Sequence, residues 1–352
     1  METDYLIVGC GLAGIAFAET CLQYNKSILV FENNSQTSST IAAGLYNPVI
    51  LKRFTGLQYA QQHINELNDF YKSVENKLKF RVDYKLPILR KFFSIEEQNN
   101  WFAASDKPDL NNFLSLNLIK TKYSGIDSPF DFGEVLQTGF VDTATLLKTY
   151  HNYLFENNFL KSESFEFDKL EIDDNYISYN GFKFKHIVFA EGFGMHSNPF
   201  FNNLPLDGTK GELFIIKAPN LKLDVIVNTS VFILPLGNDL FKVGATYNWS
   251  DKTNVPSHEG KLELIEKIKE ILNCDFEILE HFAGVRPTVK DRKPLIGTHY
   301  EHNNIHILNG LGTRGVMLAP TMAKNLFEYI EFSKPIDSSI NIKRFYKKMN
   351  LK

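Results

Sequence analysis

Residues Asp4–Glu32 read DYLIVGCGLAGIAFAETCLQYNKSILVFE. The stretch from Asp4 to Val8 is short, apolar and ended by glycine, the pattern of a buried strand. Leu12 to Tyr24 carries Ile15, Ala16, Phe17 and Leu22 and predicts a helix, and Ser27 to Glu32 predicts a second buried strand. Strand, glycine turn, helix and strand in about 30 residues make a right-handed βαβ unit with parallel strands. Gly9, Gly11 and Gly14 form G-x-G-x-x-G at the point where strand becomes helix. The first glycine permits the tight turn, the second lets main chain approach a pyrophosphate, and the third lets helix pack on strand. Leu12 and Ala13 open the helix, whose free N–H groups and positive dipole end suit phosphate. Glu32 closes the second strand, where an acid bonds ribose hydroxyls. The unit predicts a dinucleotide site without choosing between NAD and FAD.

Working outward, Ser38–Gly44 (SSTIAAG) is a run of small and hydroxylated residues. Thr40, Ala43 and Gly44 would let main chain pass close to a flat ligand. Near the other end, Ile305–Asn309 predicts a strand, followed by Gly310-Leu311-Gly312-Thr313-Arg314-Gly315 and a helix through Ile330. That helix N-terminus, with Val316 and Met317 in its first turn, could face a ring that gains negative charge on reduction. Between these ends, Arg53–Leu78 has one apolar stripe and predicts a long helix laid across a sheet. Leu86–Phe140 predicts small strands and loops. Asp142–Asn157 predicts a helix capped by Asp142 or Thr143, and Ile172–Phe189 a meander turning at Asn180-Gly181. Glu212–Thr246 predicts several strands, and His258–Leu272 an amphipathic helix. The order implies α/β plus α+β architecture: a discontinuous Rossmann-like domain built from 1–80, 141–205 and 285–352, with an antiparallel-sheet domain from 81–140 and 206–284 inserted in it.

The chain has 352 residues, 43% hydrophobic and 22% charged, and a net charge of −3. Those values exclude disordered and collagen-like classes and remove any global pull towards nucleic acid. Three cysteines, Cys10, Cys21 and Cys274, form no metal spacing and no disulfide framework, which predicts a reduced, cytoplasmic setting. No signal-peptide pattern or membrane-spanning run is expected. The nine histidines show no metal spacing in sequence and read as surface or turn residues. Arginine is scarce, seven against a background of lysine. Arg286 in AGVRPT and Arg314 in GLGTRG sit in Gly/Pro-framed motifs, and arginine's planar fork suits a carboxylate.

Taken together, the motifs resemble the FAD-dependent D-amino acid oxidase superfamily, in its glycine oxidase and sarcosine oxidase branch. They are VGCGLAG (8–14), Glu32, SSTIAAG (38–44), GFVD (139–142), HIVFAEG (186–192), TKGE (209–212), FILP (232–235), FKVGATY (241–247), AGVRPTVKDRKPLIG (283–297) and GLGTRGVMLAP (310–320). The resemblance implies non-covalent FAD, since the last motif lacks cysteine. It places the cofactor on Gly9, Gly11, Leu12, Ala13, Gly14, Glu32, Thr40, Ala43, Gly44, Phe165, Gly192 and Gly312 to Met317. It implies a small-molecule amine or amino acid as substrate, a C–N bond beside a carboxylate oxidised by hydride transfer, and Arg286 as carboxylate anchor. Arg314 is a second candidate, and Lys210 in TKGE a charge near the flavin. GLGTRG and AAGLYNP also resemble the oxidoreductase domain of the bifunctional enzyme that modifies the tRNA wobble uridine, which removes a carboxymethyl group from a secondary amine. That reading needs a local basic face. The resemblance to glycine oxidase implies an assisting tyrosine near the FILP position, where this chain has Phe232, and the loss of that hydroxyl counts against glycine itself as substrate. A flavin-binding protein without turnover is the remaining alternative.

Overall fold

The computed structural model describes residues 2–173 and 176–349. The chain opens with β1 (Glu2–Val8), α1 (Leu12–Gln23), β2 (Ile28–Phe31), the single turn α2 (Ser38–Ile41) and α3 (Ala60–Leu78). There follow β3 (Ile88–Lys91), α4 (Ile95–Ser105), β4 (Leu114–Ile119), β5 (Phe132–Val135), α5 (Thr143–Glu156), β6 (Leu160–Lys161), β7 (Leu170–Ile172), β8 (Ile177–Tyr179) and β9 (Phe182–Phe189). The second half contains β10 (Thr209–Lys217), β11 (Ile226–Asn228), β12 (Phe232–Gly237), β13 (Leu240–Gly244), α6 (His258–Lys269), β14 (Glu277–Arg286), β15 (Leu295–Thr298), β16 (Ile305–Asn309) and α7 (Gly315–Phe332).

The first sheet has a parallel centre in the order β6-β2-β1-β9-β16. Leu6 lies opposite Leu29 on one side and Ile187 on the other, and Ile187 opposite Ile305. Strands buried on both faces need apolar residues at every position. Tyr5 and Ile7 meet the helical layer of α1, α3, α5 and α7, while Leu6 and Val8 meet a cluster with Phe184, Phe201 and Ile342. The β7–β8–β9 meander turns at Asn180 (φ 48°) and Gly181 (φ 80°), as the sequence predicts. The second sheet runs β14-β10-β13-β12-β11-β3-β5-β4. It is antiparallel except for β11 beside β3. The architecture is therefore mixed α/β with a Rossmann-like first sheet and an inserted, mainly antiparallel second one. Among the described residues no helix is long and apolar enough to cross a membrane.

Three expectations need correction. The helix expected from Arg53 begins at Ala60: Thr55-Gly56 pairs with Val49-Ile50, and Tyr59 at φ 58° breaks the helical path. It packs on α7 as well as α5, with the Tyr71 hydroxyl donating to Val316 O at 3.1 Å. Second, the region read as strands and loops contains α4, capped by the Ser94 hydroxyl, which accepts from Glu97 N at 3.1 Å. Third, several histidines are interior rather than surface residues. His306 is 2% exposed, bonded to Thr298 Oγ1 and His186, and His63 is 6% exposed against Thr321 Oγ1.

Candidate functional site

Three turns leave the C-terminal ends of the neighbouring parallel strands β1, β9 and β16 on one edge of the sheet, the crevice position where parallel sheets take ligands. At the first, Gly14 is forced: a Cβ there would lie 2.0 Å from Gly9 O. The close approach seats α1 on β1. Gly11, with no side-chain cap above it, has only the Ser39 hydroxyl nearby, at 3.0 Å from where a Cβ would stand. Nothing lies within 4 Å of a Cβ placed on Gly192, and only Thr288 Oγ1, at 3.9 Å, approaches one on Gly312. The Glu32 carboxylate accepts from Cys10 N and from Asn34 N (2.6 Å), so it stands at the mouth of the first turn. His151 Nε2 donates to Cys10 O at 2.8 Å and braces that turn from α5. This bare-glycine cradle with an acid at its rim fits a dinucleotide.

Ser38–Gly44 forms the wall between the two sheets. Ile41 packs over Gly284 of β14, and Gly44 presses on Val141 O, so Gly44 serves packing. Thr40 is exposed and Ala43 half-buried. Ala42 O accepts from Thr143 Oγ1 and from Lys242 Nζ at 3.3 Å. Burial pushes the Lys242 ammonium below the usual lysine range. Phe165 is half-buried, stacked on Tyr179 at 4.4 Å against the edge of the core. Thr313 is exposed, whereas Val316 and Met317 bury their side chains and offer main-chain groups at the head of α7.

On the second sheet, register decides which side chains face the crevice. Thr209 pairs with Arg286, Gly211 with Gly284, Leu213 with Gly244, and Gly244 with Phe232. Directly paired residues share a face, so Arg286, Gly211, Leu213, Gly244 and Phe232 form one row. The Arg286 guanidinium lies across Gly211, where a Cβ would come within 1.9 Å of Nη2. Nη1 donates to Thr246 O at 3.3 Å, and the group sits 4.8 Å from the Tyr247 ring. Burial lowers its pKa, and Tyr247 opposes that. Arg314 is likewise pulled down by burial, with Tyr247 acting against and Arg292 acting with it. Arg292 lies 5.8 Å from the Trp249 ring. Among the described residues none of these three arginines pairs with a carboxylate. Tyr247 and Trp249 are 59% and 44% exposed. Neither aromatic was singled out from the sequence; two rings at i and i+2 in a polar loop were the available signal.

Lys210 is not beside the crevice row. It alternates to the opposite face, where its ammonium is held by Asp251, Val255 O and, at 3.5 Å, Glu212. The Lys210 bond holds Asp251 down at about 2. Glu212 in turn accepts from Ser257 N and Oγ at the head of α6. Lys210 is thus a strut between β10 and the 251–257 loop.

Glu191, between Ala190 and Gly192, was also missed. Burial raises its carboxyl to about 7, although Asn198 Nδ2 donates to it at 2.6 Å. The folded chain therefore keeps a proton that the unfolded chain releases near the ordinary 4.5. Stability is fully present below pH 4.5, falls as pH rises to about 7, and is level above it. The total loss is roughly 3 kcal/mol. Glu191→Gln should flatten this segment of a melting-temperature-against-pH curve for the apoprotein. An unchanged slope would assign the dependence to another group.

A model of the family described as "DAO: FAD dependent oxidoreductase" matches residues 4–329. The chain is similar to glycine oxidase of Bacillus subtilis, 30% identical over 142 residues, 38% of each chain. It is 21% identical over 308 residues to the tRNA 5-methylaminomethyl-2-thiouridine biosynthesis bifunctional protein MnmC of Campylobacter jejuni, covering 84% of this chain and 46% of that protein. The matches thus span less than half of these curated relatives. Among solved structures, glycine oxidase from Geobacillus kaustophilus superposes with a TM-score of 0.75 at 17% identity, over 97% of this chain and 99% of the other. Iminodiacetate oxidase from Chelativorans gives 0.75 at 14% identity, over 96% and 98%.

Proposed function

We propose that this chain, which belongs to the DAO family of FAD dependent oxidoreductases, oxidises the C–N bond of an amine or amino acid that carries a carboxylate. FAD, when bound, supplies the two-electron acceptor. The glycine turn and the head of α1 hold the pyrophosphate, and Glu32 reaches the ribose. Gly192 and Gly312 leave room along the crevice, and the head of α7 addresses the ring. The observation that carries the reading is Arg286: a half-buried guanidinium with no acid partner among the described residues, laid across Gly211. Such a group is satisfied by a bidentate carboxylate. The missing side chain at Gly211 makes room for the Arg286 guanidinium itself, and Leu213 and Phe232 close over Gly244, 2.9 and 3.2 Å from where a Cβ would stand, so the surface beside the guanidinium is apolar. The positive field of Arg286, Arg314 and Arg292 disfavours a protonated amine and so favours the neutral form that can give up hydride. Orientation rather than a general base is what this site contributes.

A second reading is supported by Tyr247 and Trp249, each exposed and each with an arginine against its ring. Aromatic platforms beside arginines stack unpaired bases. The MnmC protein of Campylobacter jejuni also matches the chain over a longer stretch, 308 residues, than the Bacillus subtilis glycine oxidase does, 142. Anaerobic mixing of the yellow holoprotein with a panel separates the readings. Free N-substituted amino acids should bleach the flavin. Faster bleaching by an RNA bearing a carboxymethylaminomethyl uridine, weakened steeply by salt, would move the substrate to RNA. No bleaching by any member would leave a flavin-binding protein without turnover.

A further inference from the structure

The turn joining β15 to β16 reads His299-Tyr300-Glu301-His302-Asn303-Asn304. One ligand atom each from His299, Glu301 and His302 lies within 4.8 Å of the others. No role in the flavin crevice falls to these residues: β16 carries the chain five residues on before Gly310, about 17 Å at strand rise. The turn is well held. His299 N donates to Ile305 O at 2.8 Å and Ile305 N to His302 O at 3.3 Å. His299 is 8% exposed, with Phe200 and Phe201 edge-on to its ring at 5.8 and 5.7 Å. The His302 ring is stacked on it at 5.2 Å with an 18° tilt. Two imidazoles whose rings are already close to parallel, beside the exposed Glu301 carboxylate, form a ligand set for a borderline divalent metal.

We propose that this turn binds one Zn2+ ion through His299, Glu301 and His302, with water completing the coordination. The hard oxygen-seeking cations Mg2+ and Ca2+ are excluded by the imidazoles. Two existing bonds compete: Glu301 N donates to His299 Nδ1 at 3.2 Å, a long bond that a metal at that nitrogen would replace, and the exposed Tyr300 hydroxyl donates to the Glu301 carboxylate, which keeps a second oxygen for the ion. The ion ties the two ends of the turn together across residues 299–302, so its effect is on the hairpin and not on the reaction.

The test uses the holoprotein, treated with chelator and dialysed. Titration with ZnCl2 by calorimetry should give one ion per chain at micromolar affinity, and Zn2+ should raise the melting temperature by mass action. Co2+ should add absorption at wavelengths beyond the flavin bands. His302→Ala and Glu301→Gln, both at the solvent side of the turn, should bind Zn2+ at least tenfold more weakly and lose the thermal shift. Their flavin spectrum and rate of flavin reduction should match wild type. Wild-type protein that takes up no Zn2+, or a His302→Ala variant that binds it as wild type does, would overturn the assignment.

Discussion

Arg286→Lys should raise the KM for a carboxylate-bearing amine by roughly 30-fold or more, because losing one side of a desolvated, hydrogen-bonded charge pair costs about 2–5 kcal/mol. Lysine keeps the charge but not the fork, and its shorter head would no longer span Gly211. The turnover number should fall too, since the carboxylate aims the reacting carbon. The structure provides a second route to the same defect without touching charge. In Gly211→Ala the new methyl would overlap the Arg286 guanidinium, 1.9 Å from Nη2 and 2.1 Å from Cζ. That group is the end of a flexible side chain, so it can swing away and the sheet survives. Gly211→Ala should therefore reproduce the KM defect with an unaltered flavin spectrum. Should both variants bind and reduce as wild type does, Arg286 is a structural residue, and Arg314, in the same field of Tyr247, becomes the anchor to test.

What the sequence could and could not disclose follows from where each signal resides. The βαβ opening is local: apolar runs, three glycines and Glu32 sit within 30 residues, and each local preference agrees with the fold. Arg286 and Arg314 stand out in the sequence by rarity and glycine framing, and the structure brings both into the field of Tyr247. Lys210 shows how parity escapes a sequence reading: it neighbours Gly211, but strand side chains alternate faces, and the β10–β14 register puts Gly211 on the Arg286 face while Lys210 meets the 251–257 loop. The helix α4 hid because it buries only Trp101, Ala104 and Ser105, too little for a stripe, although Ser94 and Glu97 formed a readable capping box. Strand β14 has an uneven burial pattern along its first half and takes its register from β10. Lys242 meets Ala42 only through long-range packing, which no local pattern announces, whereas Tyr247 with Trp249 and His299 with Glu301 and His302 are close in sequence but sit in loops, whose geometry spacing alone does not fix.

The two glycines of the opening turn should behave oppositely when a side chain is added. Gly11 has φ −76°, ordinary for any residue, and a Cβ there meets only the Ser39 side chain, Oγ at 3.0 Å and Cβ at 3.8 Å, so the hydroxyl gives up the 3.3 Å bond it accepts from Leu12 N but no main chain has to move. Gly11→Val should therefore fold, and the apoprotein should melt as wild-type apoprotein does. Its branched methyls would stand over the head of α1, in the path of the pyrophosphate, so the purified protein should be colourless and should not regain FAD on addition. Gly14 differs because its obstacle is main chain. A Cβ would lie 2.0 Å from Gly9 O and 2.9 Å from Gly9 C, and neither can turn aside. Gly14→Ala must lift α1 from β1, opening a layer that includes Ile15, Phe17 and Ala18. Overpacking against main chain costs about 3 kcal/mol or more, so this variant should lose stability as well as FAD. Soluble, yellow Gly11→Val protein would show that the pyrophosphate does not pass over Gly11. A Gly14→Ala variant as stable as wild type would show that the helix does not rest on the strand at that point.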